Sequence, residues 1–367
     1  MGLVVGPCGG HGRVEKGDMH FLNTGITNAS GDPLFLHRFS YRLGRPMSAN
    51  VKTLFPGRDK VYDSIVDLIP GPDNPTPMVR ISERFNANAD FELLVKLEGM
   101  NPFGSIKDRT AYFMLKDLQL SDGQSLVEPS AGNTGIALAA LASAKGTSIE
   151  IAVPDGAPEE KKAQLRFLGA EVIEVEDELC PIYPSEGARG VVKSMVESDA
   201  YRGKYVSPNQ YESELNIAAH YQTTGPEIWR QTGGDIDYFF ASIGTGGTIT
   251  GVGRYLKERN PNIKVIGVEP ALRHHKLSGL KRVTGLPEEH FPKILDREVV
   301  DEFISVTDEQ AFRTGIRIAR TDGLLVGPTT GAVLHAAGEW GAVHKGTAVV
   351  ISADSAAKYV SAYADYL

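Results

Sequence analysis

From about residue 90 onward, short apolar segments alternate with segments of helical periodicity, and this alternation constrains the fold more than any other feature. FELLVKLEG, SIEIAVP and IKVIGVEP read as strands, whereas TGIALAALASAKG and TITGVGRYLKERNP read as helices. Strand followed by helix, repeated along a chain, indicates mainly parallel sheets with helices on both faces. We therefore predict an α/β fold with two blocks, separated near residues 205–215 where SPNQYESELN interrupts the alternation.

Bulk properties narrow the function classes. The chain has 367 residues, enough for two domains, and a net charge of −8 without a basic run, which argues against nucleic-acid binding. Cys8 and Cys180 are the two cysteines, so no disulfide framework is expected. No apolar run reaches membrane-spanning length and no secretion signal is apparent, so we expect a cytoplasmic protein without a membrane partner.

The stretch NPFGSIKDR, residues 101–109, places a lysine at the start of a predicted helix. Ser105 and Asp108 have capping-box spacing, and the apolar residues from Ala111 onward recur with helical periodicity. Lys107 then lies in the first turn, where the helix dipole destabilises an ammonium by roughly 0.3 to 1 kcal/mol. This cost suggests that Lys107 has a function.

IGTGGTITG, residues 243–251, joins a predicted strand to a predicted helix through Gly244, Gly246 and Gly247. Glycines let the backbone approach an anion, and a helix start offers free N–H groups, so the loop is typical of a phosphate site. A plain tight turn is the simpler interpretation. A dinucleotide site with Glu269 as the ribose ligand is a third, but Ile249 occupies the position of the third glycine in that fingerprint.

Two further turns precede helices and carry hydroxyl groups. In EPSAGNTG, residues 128–135, Ser130, Asn133 and Thr134 suit a carboxylate, and GPTTGA, residues 327–332, has the same character. Either turn taken alone is explained by helix capping. A phosphate site, a carboxylate site and a reactive amine together indicate pyridoxal phosphate acting on amino acids.

The motifs KLEGMNPFGSIKDR, EPSAGNTGIALA, TTGPEIW, SIGTGGTITGVGRYLK and GPTTGA resemble the cysteine synthase and cystathionine β-synthase family of fold type II pyridoxal-phosphate enzymes. The resemblance runs from residue 74 to residue 361, with the motifs in family order. It implies a homodimer of two-domain α/β subunits with the cofactor between the domains. We predict an irregular arm over 1–68, a large cofactor-binding domain over 69–100 and 213–367, and a smaller mobile domain over 101–212.

The resemblance also implies roles for individual residues. Lys107 matches the lysine that forms the Schiff base and moves protons, and Thr329 matches the hydroxyl at the pyridine nitrogen. Asn133 matches the residue bonded to the ring oxygen of the cofactor. The cofactor phosphate is expected at Gly244, Thr245, Gly246, Gly247 and Thr248. The substrate carboxylate is expected at Ser130, Gly132, Asn133, Thr134 and Gln210.

A hydroxyl at the pyridine nitrogen favours loss of a β-substituent over transamination, so the implied chemistry is β-replacement through an aminoacrylate. GTGGT is typical of β-replacement, whereas dehydratase relatives carry a longer glycine run. SGLKRVTG, residues 278–285, resembles a segment of O-phosphoserine sulfhydrylases, with Arg282 as the match to a phosphate-binding arginine. We therefore predict cysteine synthesis from O-phosphoserine.

Several alternatives stay open. The substrate could be O-acetylserine or serine, as in cystathionine β-synthase, and the nucleophile could be sulfide, a sulfur-carrier protein or a nitrogen compound giving a 2,3-diaminopropionate-type product. Most relatives have a hydroxyl where this chain has Ala131. A non-catalytic regulatory partner is disfavoured because Lys107, Asn133 and Thr329 are all present.

The N-terminal arm raises the question of a haem or metal site. Cys8 and His20 have a separation similar to that of the haem ligands of animal cystathionine β-synthases. Nothing else in the arm matches those enzymes, so we predict no metal and an arm that packs on the body or on a second subunit.

Overall fold

The computed structural model describes residues 61–130, 132–176 and 186–367. Cys8, Cys180, His20, Ala131 and nearly all of the predicted arm lie outside these ranges. The strands are β1 (Met78–Arg80), β2 (Phe91–Leu97), β3 (Ser125–Pro129), β4 (Ile149–Pro154), β5 (Glu171–Val175), β6 (Tyr205–Val206), β7 (Tyr238–Ser242), β8 (Lys264–Pro270), β9 (Glu302–Val306) and β10 (Gly346–Ser352). The helices are α1 (Lys107–Leu115), α2 (Asn133–Lys145), α3 (Glu159–Phe167), α4 (Gly187–Glu197), α5 (Glu214–Ala219), α6 (Gly225–Thr232), α7 (Gly247–Arg259), α8 (Asp308–Asp322), α9 (Pro328–Gly341) and α10 (Val360–Ala364).

A six-stranded sheet has the order β1-β2-β10-β7-β8-β9 and is parallel except for β1, which pairs antiparallel with β2. Alternate residues of its strands point to opposite faces. Phe240 packs in one apolar cluster with Trp340 of α9, whereas its neighbour Phe239 packs in another with Val252 of α7. Helices therefore cover both faces of this sheet.

A four-stranded parallel sheet has the order β5-β4-β3-β6. Its strand β3 shows the same two-sided burial, because Leu126 packs with Leu138 of α2, whereas Val127 packs with Val192 of α4. Two mainly parallel sheets, each covered by helices on both faces, confirm the predicted α/β fold class.

The structure differs from the sequence-based expectation at several elements. Ser105 is not the N-cap of α1, because Ile106 occupies that position and the helix begins at Lys107. The Asp108 side chain accepts a hydrogen bond from the Phe103 N–H, so the predicted capping box does not form. The segment NIAAHYQTTGPEIWRQTG, residues 216–233, predicts one continuous helix, but a π-helical stretch, His220–Thr224, lies between α5 and α6. Helices α4 and α10 and strands β1, β6 and β9 were not predicted.

The strands of the smaller sheet come from residues 125–206, and those of the larger sheet come from the segments on either side. The movement of residues 101–212 as a separate domain stays a prediction. Across the part of the chain that the structure describes, no helix is both long and apolar enough to cross a membrane.

Candidate active site

The turns that follow β3, β7 and β10 meet at a cleft, since parallel strands place their carboxyl ends at one edge of each sheet. The outer part of the cleft is a cavity of about 560 Å³, and a deeper part of about 90 Å³ adjoins it. Lys107, Asn133, Gly244 and Thr245 line both parts. Residues predicted from three distant motifs thus come together at one site.

Lys107 is the first residue of α1 and is half-buried. Its backbone N–H donates to Ser105 Oγ (3.2 Å), and the adjacent Ile106 N–H donates to the Ala353 carbonyl at the end of β10 (2.8 Å). Removal from water lowers the pKa of the Lys107 ammonium to about 8. More of the amine is therefore unprotonated near neutral pH than in an ordinary lysine, as a nucleophile or proton acceptor requires.

A buried cluster of charges, which the sequence analysis did not identify, lies behind Lys107. Arg109 donates to Glu98 (2.7 Å) and to Glu227 (2.5 Å), and Lys96 also bonds Glu227 (2.8 Å), with all four side chains 0% exposed. Burial opposes ionisation of Glu98, but the Arg109 guanidinium outweighs it and lowers the pKa of Glu98 to about 2. The cluster joins α1 to β2 and α6 and so fixes the helix that carries Lys107.

The loop between β7 and α7 has the geometry of an anion site. Gly246 is the N-cap of α7 with φ +95°, which favours glycine, and a Cβ on Gly244 would lie 2.5 Å from the Gly279 carbonyl oxygen. Gly244, Thr245, Gly246 and Thr248 line the deeper cavity. Gly247 lies between them in the chain but is absent from that lining.

Two buried side chains support this loop from behind. Asn216 donates to Thr245 Oγ1 (3.1 Å), and the Nε2 atom of His220 lies 3.2 Å from Thr248 Oγ1. Burial lowers the pKa of His220 to about 3, so its imidazole is neutral. Free N–H groups and hydroxyls at the start of a helix of this length fit a phosphate.

The turn after β3 places Ser130, Gly132, Asn133 and Thr134 along the outer cavity with Gln210. Thr134 donates from Oγ1 to Gln210 Oε1 (2.6 Å). Ser130 Oγ accepts hydrogen bonds from the backbone of the same turn, at Gly132 (3.3 Å) and Gly135 (3.0 Å).

Glu128, at the end of β3, holds the loop that carries Gln210. Its carboxylate accepts from the backbone N–H groups of Asn209 (2.9 Å) and Gln210 (3.0 Å). These bonds favour the left-handed backbone of Asn209, whose φ is +51°. Burial raises the pKa of Glu128 to about 7 although the backbone bonds oppose it. The sequence analysis did not assign Glu128 a role.

Thr329 and Asp354 complete the deeper cavity. Thr329 is the second residue of α9 and lines the deeper part, as does Asp354 in the turn after β10. Asp354 Oδ2 accepts from Asn133 Nδ2 (2.7 Å) and from the Tyr359 hydroxyl (2.5 Å). The sequence analysis assigned neither Asp354 nor Tyr359 a role.

Arg282 does not reach the site. Its side chain is exposed and lines neither part of the cleft, whereas its neighbour Lys281 lines the outer cavity. Lys281 and Arg189 both lie over the ring of Tyr211, at 5.0 Å and 4.2 Å. The structure thus places two cations from different parts of the chain at the mouth of the cleft.

The family model described as pyridoxal-phosphate dependent enzyme matches residues 69–354, which is most of the chain. Cysteine synthase B of Pseudomonas aeruginosa is 39% identical over 279 residues, covering 75% of this chain and 88% of the relative. The chain belongs to the cysteine synthase and cystathionine β-synthase family of pyridoxal-phosphate enzymes. This membership confirms the predicted family, cofactor and β-replacement type of enzyme.

Solved structures of the same family share the fold. A hydrogen sulfide-producing enzyme from Fusobacterium nucleatum matches with a TM-score of 0.72 and 31% identity, covering 82% of this chain and 98% of that one. An O-ureido-L-serine synthase matches with a TM-score of 0.72 and 28% identity, covering 82% of this chain and 94% of that one. The names of these two proteins state different reactions, so the fold alone does not specify the reaction.

The residues of the cleft fit pyridoxal phosphate on chemical grounds. The glycine loop before α7 offers N–H groups to an anion, and Lys107 offers an amine with a lowered pKa to an aldehyde. Both line the same cavity, in which Asn133 and Thr329 present neutral polar side chains.

Proposed function

We propose that this family member makes cysteine by β-replacement on O-phosphoserine with a sulfur donor. The observation that carries the choice of substrate is the pair of cations, Lys281 and Arg189, at the mouth of the cleft. A phosphate carries more charge than an acetyl ester and benefits more from two cations.

Each cofactor-binding residue has a distinct proposed role. Bound pyridoxal phosphate supplies the electron withdrawal that makes the substrate α-proton acidic. Lys107 would hold the cofactor through Nζ, and the same atom would accept that proton, because the lowered pKa of about 8 makes the unprotonated amine more accessible near neutral pH than in an ordinary lysine. Thr329 would bond the pyridine nitrogen, and Gly244–Thr248 would bind the phosphate.

The substrate would be oriented by its carboxylate. Ser130, Gly132, Asn133 and Thr134 surround the start of α2, where N–H groups are free to bind an anion. Gln210, held by Thr134 and by the backbone bonds to Glu128, would supply the amide on the opposite side.

The steady-state kinetics of O-phosphoserine and O-acetylserine with sulfide test the substrate. We expect a higher kcat/KM for O-phosphoserine and a loss of about tenfold or more for O-phosphoserine in Lys281→Ala, because one hydrogen bond to a charged group is removed. The same variant should change kcat/KM for O-acetylserine by less than about threefold.

Arg282→Ala is the matched control, because it removes a positive charge one residue away outside the cavity lining. A large loss in Arg282→Ala with little change in Lys281→Ala would favour the role that the family resemblance gave to Arg282. A wild-type preference for O-acetylserine would overturn the phosphate proposal and leave the β-replacement chemistry intact.

A second candidate is β-replacement with a different nucleophile, supported by the structural likeness to an O-ureido-L-serine synthase. Mass spectrometry of products formed from the amino-acid substrate with sulfide, a thiocarboxylated sulfur carrier, homocysteine or ammonia distinguishes these cases. Cysteine from sulfide or the carrier is the expected result, and cystathionine or 2,3-diaminopropionate as the main product would support the second candidate.

We also propose that the enzyme is a cytoplasmic homodimer, as the family resemblance implies. Light scattering of the purified protein should give twice the chain mass. A monomeric mass in active enzyme would overturn the dimer.

A further inference from the structure

The turn after β10 contacts Asn133 from two sides. Asn133 Nδ2 donates to Asp354 Oδ2 (2.7 Å), and Asn133 Oδ1 accepts from Lys358 Nζ (2.9 Å). Asp354 and Lys358 are 221 and 225 residues from Asn133 in sequence, so no local pattern links them.

These two partners determine which way the amide of Asn133 faces. An ammonium has hydrogen-bond donors only, and a carboxylate has acceptors only. Rotating the amide by half a turn would place its NH₂ group against Lys358 and its oxygen against Asp354, so both bonds would be lost. Tyr359 strengthens this arrangement because its hydroxyl donates to the same Asp354 oxygen (2.5 Å).

Lys358 is itself held in place. Its Nζ atom also donates to the Phe103 carbonyl (3.1 Å), and its stem lies so close to Gly104 that a Cβ there would be 3.2 Å from Lys358 Cε. The ammonium is therefore a fixed donor with two acceptors rather than a mobile surface charge.

The amide nitrogen of Asn133 has two hydrogens, and the bond to Asp354 uses one of them. Asn133 lines both parts of the cleft, and its side chain also hydrogen-bonds Tyr359, so an oxygen bound in the cavity would take the second N–H in place of the Tyr359 hydroxyl. A freely rotating amide would present its oxygen part of the time, which repels an anionic oxygen.

We propose that Lys358 is a positioning residue that, with Asp354, keeps the Asn133 amide oriented as a donor to the ring oxygen of pyridoxal phosphate. This inference rests on the proposed role of Asn133. Lys358 acts through Asn133 and does not itself touch the cofactor.

Two variants separate the hydrogen bond from the charge. Lys358→Met removes both, whereas Lys358→Gln removes the charge but keeps an N–H donor, on a side chain one bond shorter. The main measurement is the wavelength of the visible absorption band of the holoenzyme at saturating cofactor, which reports on bonding to the ring oxygen. The second measurement is the cofactor dissociation constant.

We expect Lys358→Met to shift the band in the direction seen for Asn133→Ala and to weaken cofactor binding about tenfold. Lys358→Gln should keep the wild-type wavelength. Lys161→Met is the matched control, because Lys161 lines the same outer cavity but contacts the Tyr359 ring (5.4 Å) instead of Asn133. It should also keep the wild-type wavelength.

The outcomes separate this inference from the proposed function. A shift in Asn133→Ala without one in Lys358→Met overturns the positioning role and leaves the role of Asn133 intact. Equal shifts in the Met and Gln variants overturn it in favour of a charge effect. An unchanged band in Asn133→Ala overturns the proposed role of Asn133, and the inference fails with it.

Discussion

Lys107 combines two features that disfavour an ammonium. It is the first residue of α1, where the helix dipole opposes positive charge, and it is removed from water, which lowers its pKa to about 8. The position of Lys107 therefore makes its amine reactive and lowers the stability of the native protein.

That cost predicts a stability gain on replacing Lys107 in the cofactor-free protein. The pKa of an unfolded lysine is 10.5, so between about pH 8 and 10.5 the unfolded chain binds more protons and the stability of the native protein rises with pH. At pH 7 the native protein bears the full cost of the buried ammonium. We therefore expect the free energy of unfolding of cofactor-free Lys107→Met to exceed that of the wild type by about 1 to 3 kcal/mol.

Urea denaturation of both apoproteins between pH 7 and pH 9.5 measures the difference, which should shrink as the pH rises. Lys116→Met, near the other end of the same helix, is the control and should show no such pH trend. A Lys107→Met difference that is constant with pH would contradict the depressed pKa.

At the scale of elements, Arg109 joins a helix to two partners through charges that water does not reach. Its guanidinium bonds Glu98, which follows β2, and Glu227 of α6, so removing it leaves two carboxylates with Lys96 as the remaining cation of the cluster. Breaking a buried ionic network in this way costs more than the network itself contributes.

We expect Arg109→Met to lower the free energy of unfolding by about 3 to 5 kcal/mol. Arg202→Met is the matched control, because Arg202 pairs with Asp199 at the surface, with side chains 81% and 86% exposed, and such pairs contribute about 0 to 1 kcal/mol. Denaturant unfolding of the three proteins gives the comparison. Similar values for the two variants would show that the cluster does not hold α1 in place.

The elements also show what sequence reasoning can predict. Strands buried on both faces, such as β2, β4 and β8, are mostly apolar, and long helices have a clear period, so local patterns identify them. Strand β6 has two residues and depends on pairing with β3, and β9 is a half-exposed edge strand. Their formation is decided by neighbours in space.

The same distinction applies to the site. Lys107 and the glycine loop stand out locally, because a helix start and a glycine cluster are visible in a few residues. Arg109, Glu128 and Lys358 have ordinary sequence surroundings, and their roles arise from contacts with residues far along the chain. Lys281 lines the cavity and the adjacent Arg282 does not, because their side chains leave the loop in different directions. A loop has no regular periodicity from which these directions could be predicted.

At the scale of the whole molecule, the mouth of the cleft is positively charged, whereas the chain has a net negative charge. The chain carries a net charge of −8, yet among the residues that the structure describes Lys161, Arg189 and Lys281 line the outer cavity, with Glu186 as the acidic residue. At an ionic strength of about 0.1 M the screening length is about 10 Å, so distant acidic residues act weakly on a ligand in the cleft. Cations within a few ångströms of the ligand are screened much less.

This balance predicts how salt affects substrate use. Raising potassium chloride from about 0.1 to 0.5 M shortens the screening length further and weakens the attraction of the cleft cations for a dianion. We expect kcat/KM for O-phosphoserine to fall several-fold, while kcat/KM for O-acetylserine, whose acetyl ester is uncharged, changes little. Lys281→Ala should flatten the salt dependence for O-phosphoserine because it removes one of the responsible charges. A rise in kcat/KM for O-phosphoserine with salt would mean that the net negative charge of the molecule governs its capture, and the cations of the cleft would then have no part in selecting the substrate.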